Sequence, residues 1–159
     1  MTGTVNVCIA MGSNMGDRLK HLQMASEQLG DLPDTTLTAC SQWLETDPVG
    51  PIEQGAFLNG AAVIQTKLSA GDLLAKLNAI EHEHGRQDQA TRVKWGPRPL
   101  DLDIIFYGDQ IIDQPGLIVP HPLMHERSFV LQPLSEIASD WVHPKLGLTV
   151  KQLLANVKS

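Results

Sequence analysis

The sequence predicts an α+β fold with an antiparallel sheet. Four segments of strand length precede residue 108, two amphipathic segments of helical period lie between them, and no composition shift marks a boundary within the 159 residues. Their order over the first 107 residues is strand, helix, strand, strand, helix, strand. That order is the ferredoxin-like βαββαβ core, with helices packed on the sheet. The remaining residues read as a C-terminal hairpin and helical extension. One domain spanning residues 1–159 is expected, since a chain of this size buries roughly 70% of the surface exposed by its unfolded form.

Residues 4–11, TVNVCIAM, form the first strand, with Val5, Val7 and Ile9 on one face, and the strand ends at Gly12. Asp17 is the N-cap of a helix over 18–30, whose inward stripe is Leu19, Leu22, Ala25, Ser26 and Leu29. Gly30 and Pro33 stop it. TTLTACSQWL alternates and is Thr-rich, which favours a second strand, whereas TDPVGPIEQG holds too many Pro and Gly for regular structure. FLNGAAVIQTKL is the third strand. Ser69 and Asp72 then form the S-x-x-D capping pattern of a helix running to about His84, closed by Gly85. RQDQATRVKWGPRP has no periodicity and reads as a loop. LDLDIIFY is a fourth strand, turning through Gly108 and Asp109 into QIID as a hairpin. A helix near 126–138 contains Pro133, and a last helix lies near LTVKQLLANV.

Composition excludes several functions. Lys and Arg number 12 against 18 Asp and Glu, a formal charge of −6, so nucleic acid is not an expected partner. No apolar run approaches the roughly 18 residues of a membrane span, and no basic residue precedes Arg18, so neither insertion nor secretion is expected. Cys8 and Cys40 make no C-x-x-C or finger spacing, which fits a reducing, cytoplasmic location, and neither has an activating neighbour in sequence. GSNMGDR lacks the Lys and hydroxyl of a P-loop, and G-x-G-x-x-G is absent. The Gly12 segment reads as a strand-to-helix connection. His82 and His84, two apart near a helix end, read as surface residues. His121 and His125 have helical spacing, but Pro120 and Pro122 argue against a helix and hence against a zinc pair.

The chemistry concentrates in LDLDI. Asp101 and Asp103 are two apart on a strand, so both carboxylates leave one face while Leu100, Leu102 and Ile104 turn into the core. Adjacent carboxylates repel unless cations lie between them, and hard oxygen ligands suit Mg²⁺ bound together with substrate phosphates. Alternation alone would also place two acids on a solvated strand face. The tract just upstream favours the functional reading: Arg86, Arg92, Lys94 and Arg98 against Asp88 alone give residues 86–98 a local charge of +3 in an acidic chain. Cationic clamps beside metal-binding acids are what phosphoryl transfer requires. Phe57 and Asn59, after the Pro/Gly loop, could bind a flat heterocycle by stacking and amide hydrogen bonds, and core packing of Phe57 and Phe129 fits the sequence equally.

GSNMGDR, TDPVGP, FLN, WGPRPLDLDI and VPHPLMHERSFVLQPLSEIA, in this order, resemble the 6-hydroxymethyl-7,8-dihydropterin pyrophosphokinases of folate biosynthesis over nearly the whole chain. The resemblance implies an ATP-dependent diphosphotransferase that moves pyrophosphate from MgATP to the hydroxymethyl group of 6-hydroxymethyl-7,8-dihydropterin and releases AMP. It implies Asp101 and Asp103 as ligands of two Mg²⁺ ions, and Arg86 and Arg98 as catalytic cations at the β-phosphorus. Glu81, Arg92, Trp95, Ile104, His121 and Arg127 fall at nucleotide positions. Thr46, Val49, Phe57, Asn59 and Phe129 fall at pterin positions, with the ring between Phe57 and Phe129. A cytoplasmic monomer is expected, with ATP and the pterin as its partners and neither nucleic acid nor membrane. The chain departs from the family pattern at Asp88, where a basic residue is common and whose role falls to either Arg92 or Lys94, at IEQGAF after TDPVGP, where Asp-Gln-Pro plus an aromatic is more usual, and at Gly116 and Ile118, where some members carry Arg and Thr. The alternative is therefore a divergent paralogue that binds ATP or pterin with little or no turnover.

Overall fold

A computed structural model describes residues 3–14, 17–46, 57–85 and 99–158. The strands are β1 (Val5–Ser13), β2 (Thr35–Cys40), β3 (Leu44–Thr46), β4 (Phe57–Thr66), β5 (Asp101–Tyr107), β6 (Ile112–Gln114) and β7 (Leu117–Val119). The helices are α1 (Arg18–Gly30), α2 (Ala70–Glu83), α3 (Ser128–Ala138) and α4 (Val150–Lys158), with a single 3-10 turn at Met124–Glu126. The main sheet runs β2-β4-β1-β5 with β3 also on β4, and every pairing in it is antiparallel. The predicted α+β class with an antiparallel sheet is the observed one.

Strand alternation divides the buried side chains between two layers. Val7, Ile9 and Met11 of β1 join Leu22, Ala25 and Leu29 of α1 and Leu73, Leu77 and Ile80 of α2 in one core. Cys8 of β1, with Ala61 and Val63 of β4, joins Val130, Leu131 and Leu134 of α3 and Leu153 of α4 in the other. Leu100, Leu102 and Ile104 turn into the first core as the sequence predicts. The register between β1 and β5 then shifts between Cys8 and Ile9, so Ile105 is the extra residue. A bulge of this kind resets the phase of the strand. Ile105 and Phe106 therefore both enter the second core, and Tyr107 returns to the first.

Local signals explain the helix ends. The Asp17 carboxylate accepts from the Lys20 amide at 3.2 Å, and the Ser69 hydroxyl accepts from the Asp72 amide at 3.1 Å. Each satisfies an orphan donor of a first turn. The α2 helix closes at His84 and Gly85, whose φ of +91° is readily adopted only by a residue without a Cβ. The buried stripe of α1 starts at Leu22, because Leu19 is 45% exposed.

Three expectations change. The first strand does not stop at Gly12: β1 runs to Ser13, and Gly12 pairs with Asn59 on one side and Asp101 on the other. Gly108 and Asp109 turn the chain, but QIID does not return along β5. The β6 strand pairs with β7 instead, through Pro115 and Gly116, where Gly116 has φ +78°. A Pro-Gly pair presets that turn, and the outer side of β5 is met by a later segment, the His121 amide donating to the Ile105 carbonyl at 3.2 Å. His84 is not a surface residue: its Nδ1 lies 2.7 Å from Nδ1 of His21, and its Nε2 lies 2.8 Å from the Gln28 amide oxygen.

Candidate functional site

The C-terminal end of β1 and the N-terminal ends of β4 and β5 meet at one end of the sheet, and the polar side chains collect there. Residues paired directly across antiparallel strands share a face. Gly12 opposite both Asn59 and Asp101, and Ala10 opposite Asp103, therefore put Asn59, Asp101 and Asp103 on the face that carries α3. Phe57, two residues before Asn59, is on the same face. Thr46 pairs with Phe57 at the end of β3, and its hydroxyl accepts a hydrogen bond from the Asn59 side-chain amide at 2.6 Å. Asn59 is only 7% exposed, so this bond fixes which way its amide points.

Asp101 and Asp103 are both partly exposed. Leu102 lies between them, and its backbone amide donates to the Glu81 carboxylate at 2.8 Å. Glu81 comes from the last turns of α2 and is 5% exposed. A buried carboxylate thus ties the helix to the strand at the residue between the two acids. Ile104 is brought to the strand but not to that face: its side chain packs in the first core.

The third side is built by the segment after β7. His121 Nδ1 accepts from the Leu123 amide at 3.3 Å, which leaves the proton of the neutral ring on Nε2 as a donor. Burial pushes the His121 pKa below the ordinary histidine value, the Arg127 charge adds to that shift, and Asp101 opposes it. His121, Arg127 and Asp101 therefore share one electrostatic neighbourhood. The Arg127 guanidinium also lies over the Phe129 ring, 5.7 Å from its centroid, at the start of α3. Val49, Arg86, Arg92, Trp95 and Arg98 lie outside the described residues.

Two carboxylates on one face suit a hard divalent cation. Among the described residues no group of three or more His, Cys, Asp or Glu side chains could hold a metal ion.

Sequence reasoning missed three features. Gly12 is in the middle of the site rather than in a connection, and the signal was available, since an isolated Gly in a strand marks a close approach. His143 is 3% exposed, and its Nδ1 accepts from the Lys145 and Leu146 amides, both at 3.1 Å. The Ser13 hydroxyl, at the end of β1, is fully buried without a hydrogen-bond partner among the described residues. Nothing in the periodicity points to the last two.

Residues 8–139 match the family described as 7,8-dihydro-6-hydroxymethylpterin-pyrophosphokinase. The chain is 44% identical over 149 residues to a 2-amino-4-hydroxy-6-hydroxymethyldihydropteridine pyrophosphokinase of Pseudomonas aeruginosa, covering 94% of this chain and 90% of the relative. It is 47% identical over 129 residues to the protein of the same name from Bacillus subtilis, covering 81% of this chain and 75% of that one. Among solved structures it is similar to wild-type Plasmodium falciparum HPPK-DHPS with pteroate, at a TM-score of 0.75 and 13% identity. That match covers 96% of this chain but 42% of the solved chain, so this chain spans about two fifths of the solved protein.

Proposed function

Because the chain belongs to the 7,8-dihydro-6-hydroxymethylpterin-pyrophosphokinase family, we propose that it transfers a pyrophosphoryl group from ATP to the hydroxymethyl group of 6-hydroxymethyl-7,8-dihydropterin in folate synthesis. The hydroxyl oxygen attacks the β-phosphorus, the bond from that phosphorus to the oxygen bridging to the α-phosphate breaks, and AMP leaves. The hydroxyl proton passes to solvent. The observation that carries the reading is the common sheet face of Phe57, Asn59, Asp101 and Asp103, within a chain that matches the family along most of its length. Heterocycle-binding side chains on β4 and cation-binding side chains on β5 flank β1 there, near enough for a reaction between two bound substrates.

Asp101 and Asp103 hold Mg²⁺, two ions in this reading, and the cations supply charge neutralisation on the triphosphate when bound. Glu81, one of the nucleotide positions of the resemblance, keeps the two acids in register through the Leu102 amide. Asn59 and Thr46 orient the pterin edge while Phe57 and Phe129 cover its faces, and Val49 completes that pocket. His121, through Nε2–H, and Arg127 donate to phosphate oxygens. Arg86 and Arg98 balance the charge that develops at the β-phosphorus, Arg92 and Trp95 contact the nucleotide, and Ile104 lines its site through the strand backbone. We place this chemistry in a single-domain, cytoplasmic monomer. No helix among the described residues is long and apolar enough to cross a membrane.

Incubation with MgATP and the hydroxymethyl dihydropterin tests the reaction by its nucleotide product. AMP should appear in equal amount with the pterin diphosphate. ADP without AMP would sink the proposal, because cleavage would then be at the γ-phosphorus.

A further inference from the structure

Gly12 lies in one cross-strand row with Asn59 and Asp101, and all three side-chain positions face α3. Two steps between neighbouring strands separate Asn59 from Asp101, about 10 Å in all. A Cβ built on Gly12 would come within 2.9 Å of the Asn59 side-chain oxygen and 3.6 Å of Phe57 Cδ1. The first distance is a clash. Asn59 cannot yield freely, because it is 7% exposed and its amide nitrogen is bonded to Thr46 at 2.6 Å. Gly12 carries no positive φ, so its backbone does not explain the glycine. A β-strand interior disfavours glycine, and the space that its missing side chain leaves is the physical reason for it here.

We propose that Gly12 is a specificity-determining position: the absence of a Cβ holds the Asn59 amide at the heterocycle and keeps the floor open between the two substrates. This rests on the reading of Phe57 and Asn59 as the pterin pocket. A methyl group at residue 12 pushes the Asn59 oxygen out of line, so the loss falls on the flat heterocycle and spares the nucleotide, which is held one strand further on. Gly12 touches no reacting atom in this scheme and acts through Asn59.

The test is a binding cycle on the intact chain, read by fluorescence titration with 6-hydroxymethylpterin and by calorimetry with a nonhydrolysable ATP analogue and Mg²⁺. Gly12→Ala should weaken pterin binding by about tenfold or more and leave the affinity for the analogue within about twofold, as expected for one misplaced buried amide. Gly71→Ala, where a Cβ meets nothing within 4 Å, should change neither. Asn59→Ala removes the atom that the new methyl would strike. Adding Gly12→Ala to it should then change pterin affinity by less than about twofold, the signature of coupling between neighbours. Pterin binding by Gly12→Ala at the wild-type level, or losses that multiply in the double variant, would overturn the proposal. Failure of the wild-type chain itself to bind the pterin would overturn the pocket reading beneath it.

Discussion

At the scale of single residues, the Glu81 carboxylate shows how a group without contact to a reacting atom can set the geometry of a site. Its bond to the Leu102 amide fixes the backbone between Asp101 and Asp103, on an element that β1 supports along its other edge. Leu102 is 4% exposed, so its N–H finds no ready water if the carboxylate is removed. Leaving such a donor unsatisfied costs about 1–3 kcal/mol. Glu81→Ala should therefore lower the unfolding free energy by about that amount in urea, and Glu81→Gln should recover much of it, since the amide carbonyl still accepts. Hydrogen exchange at Leu102 gives the direct reading: faster in the Ala variant, near wild type in the Gln variant. Wild-type protection of that amide in Glu81→Ala would show that the bond does not hold the strand.

At the scale of elements, capping accounts for where α2 begins. The Ser69 hydroxyl satisfies the Asp72 amide, and Asp72 adds a negative charge in the first turn, where the helix dipole favours it. Ser69→Ala should cost about 0.5–2 kcal/mol of stability and Ser69→Asp little, measured by chemical denaturation. These starts were legible in the sequence because Asp17 and Ser69 act through bonds to residues three positions away. The α1 and α2 periods and the facing of Asp101 and Asp103 were legible for the same reason. What could not be read depends on partners far along the chain. The pairing of β6 with β7 rather than β5, the bulge at Ile105 and the meeting of His21 with His84 are settled by tertiary packing. Gly12 falls between: its residue type was visible, but its two neighbours across the sheet come from residues 59 and 101, and only the assembled register shows what its missing side chain makes room for.

At the scale of the whole molecule, burial of titratable groups predicts a stability plateau bounded on both sides. His84, His121 and His143 are held below the ordinary histidine value of 6.5, in each case chiefly by burial. Well above pH 6.5 these rings are neutral in both states and add no pH dependence. Below it the unfolded chain binds protons that the folded one resists, so stability falls as pH drops. On the alkaline side burial pushes the Cys8 thiol above the ordinary thiol value of 9.0. Its contribution is present below pH 9 and lost as pH rises, because the unfolded thiol ionises first. Urea midpoints should thus be highest between the two limits and lower at both about pH 5.5 and about pH 10. His143 allows the acid limb to be assigned. Its Nδ1 must stay unprotonated to accept from the Lys145 and Leu146 amides, and the Leu148 carbonyl accepts from its backbone amide at 2.8 Å. Proton uptake on that nitrogen removes the acceptor of both bonds in the turn that leads into α4. His143→Asn keeps a side-chain acceptor at the corresponding position and cannot titrate, so it should shrink the fall in midpoint between about pH 8 and about pH 5.5. An unchanged acid limb in that variant would transfer the effect to His84 and His121.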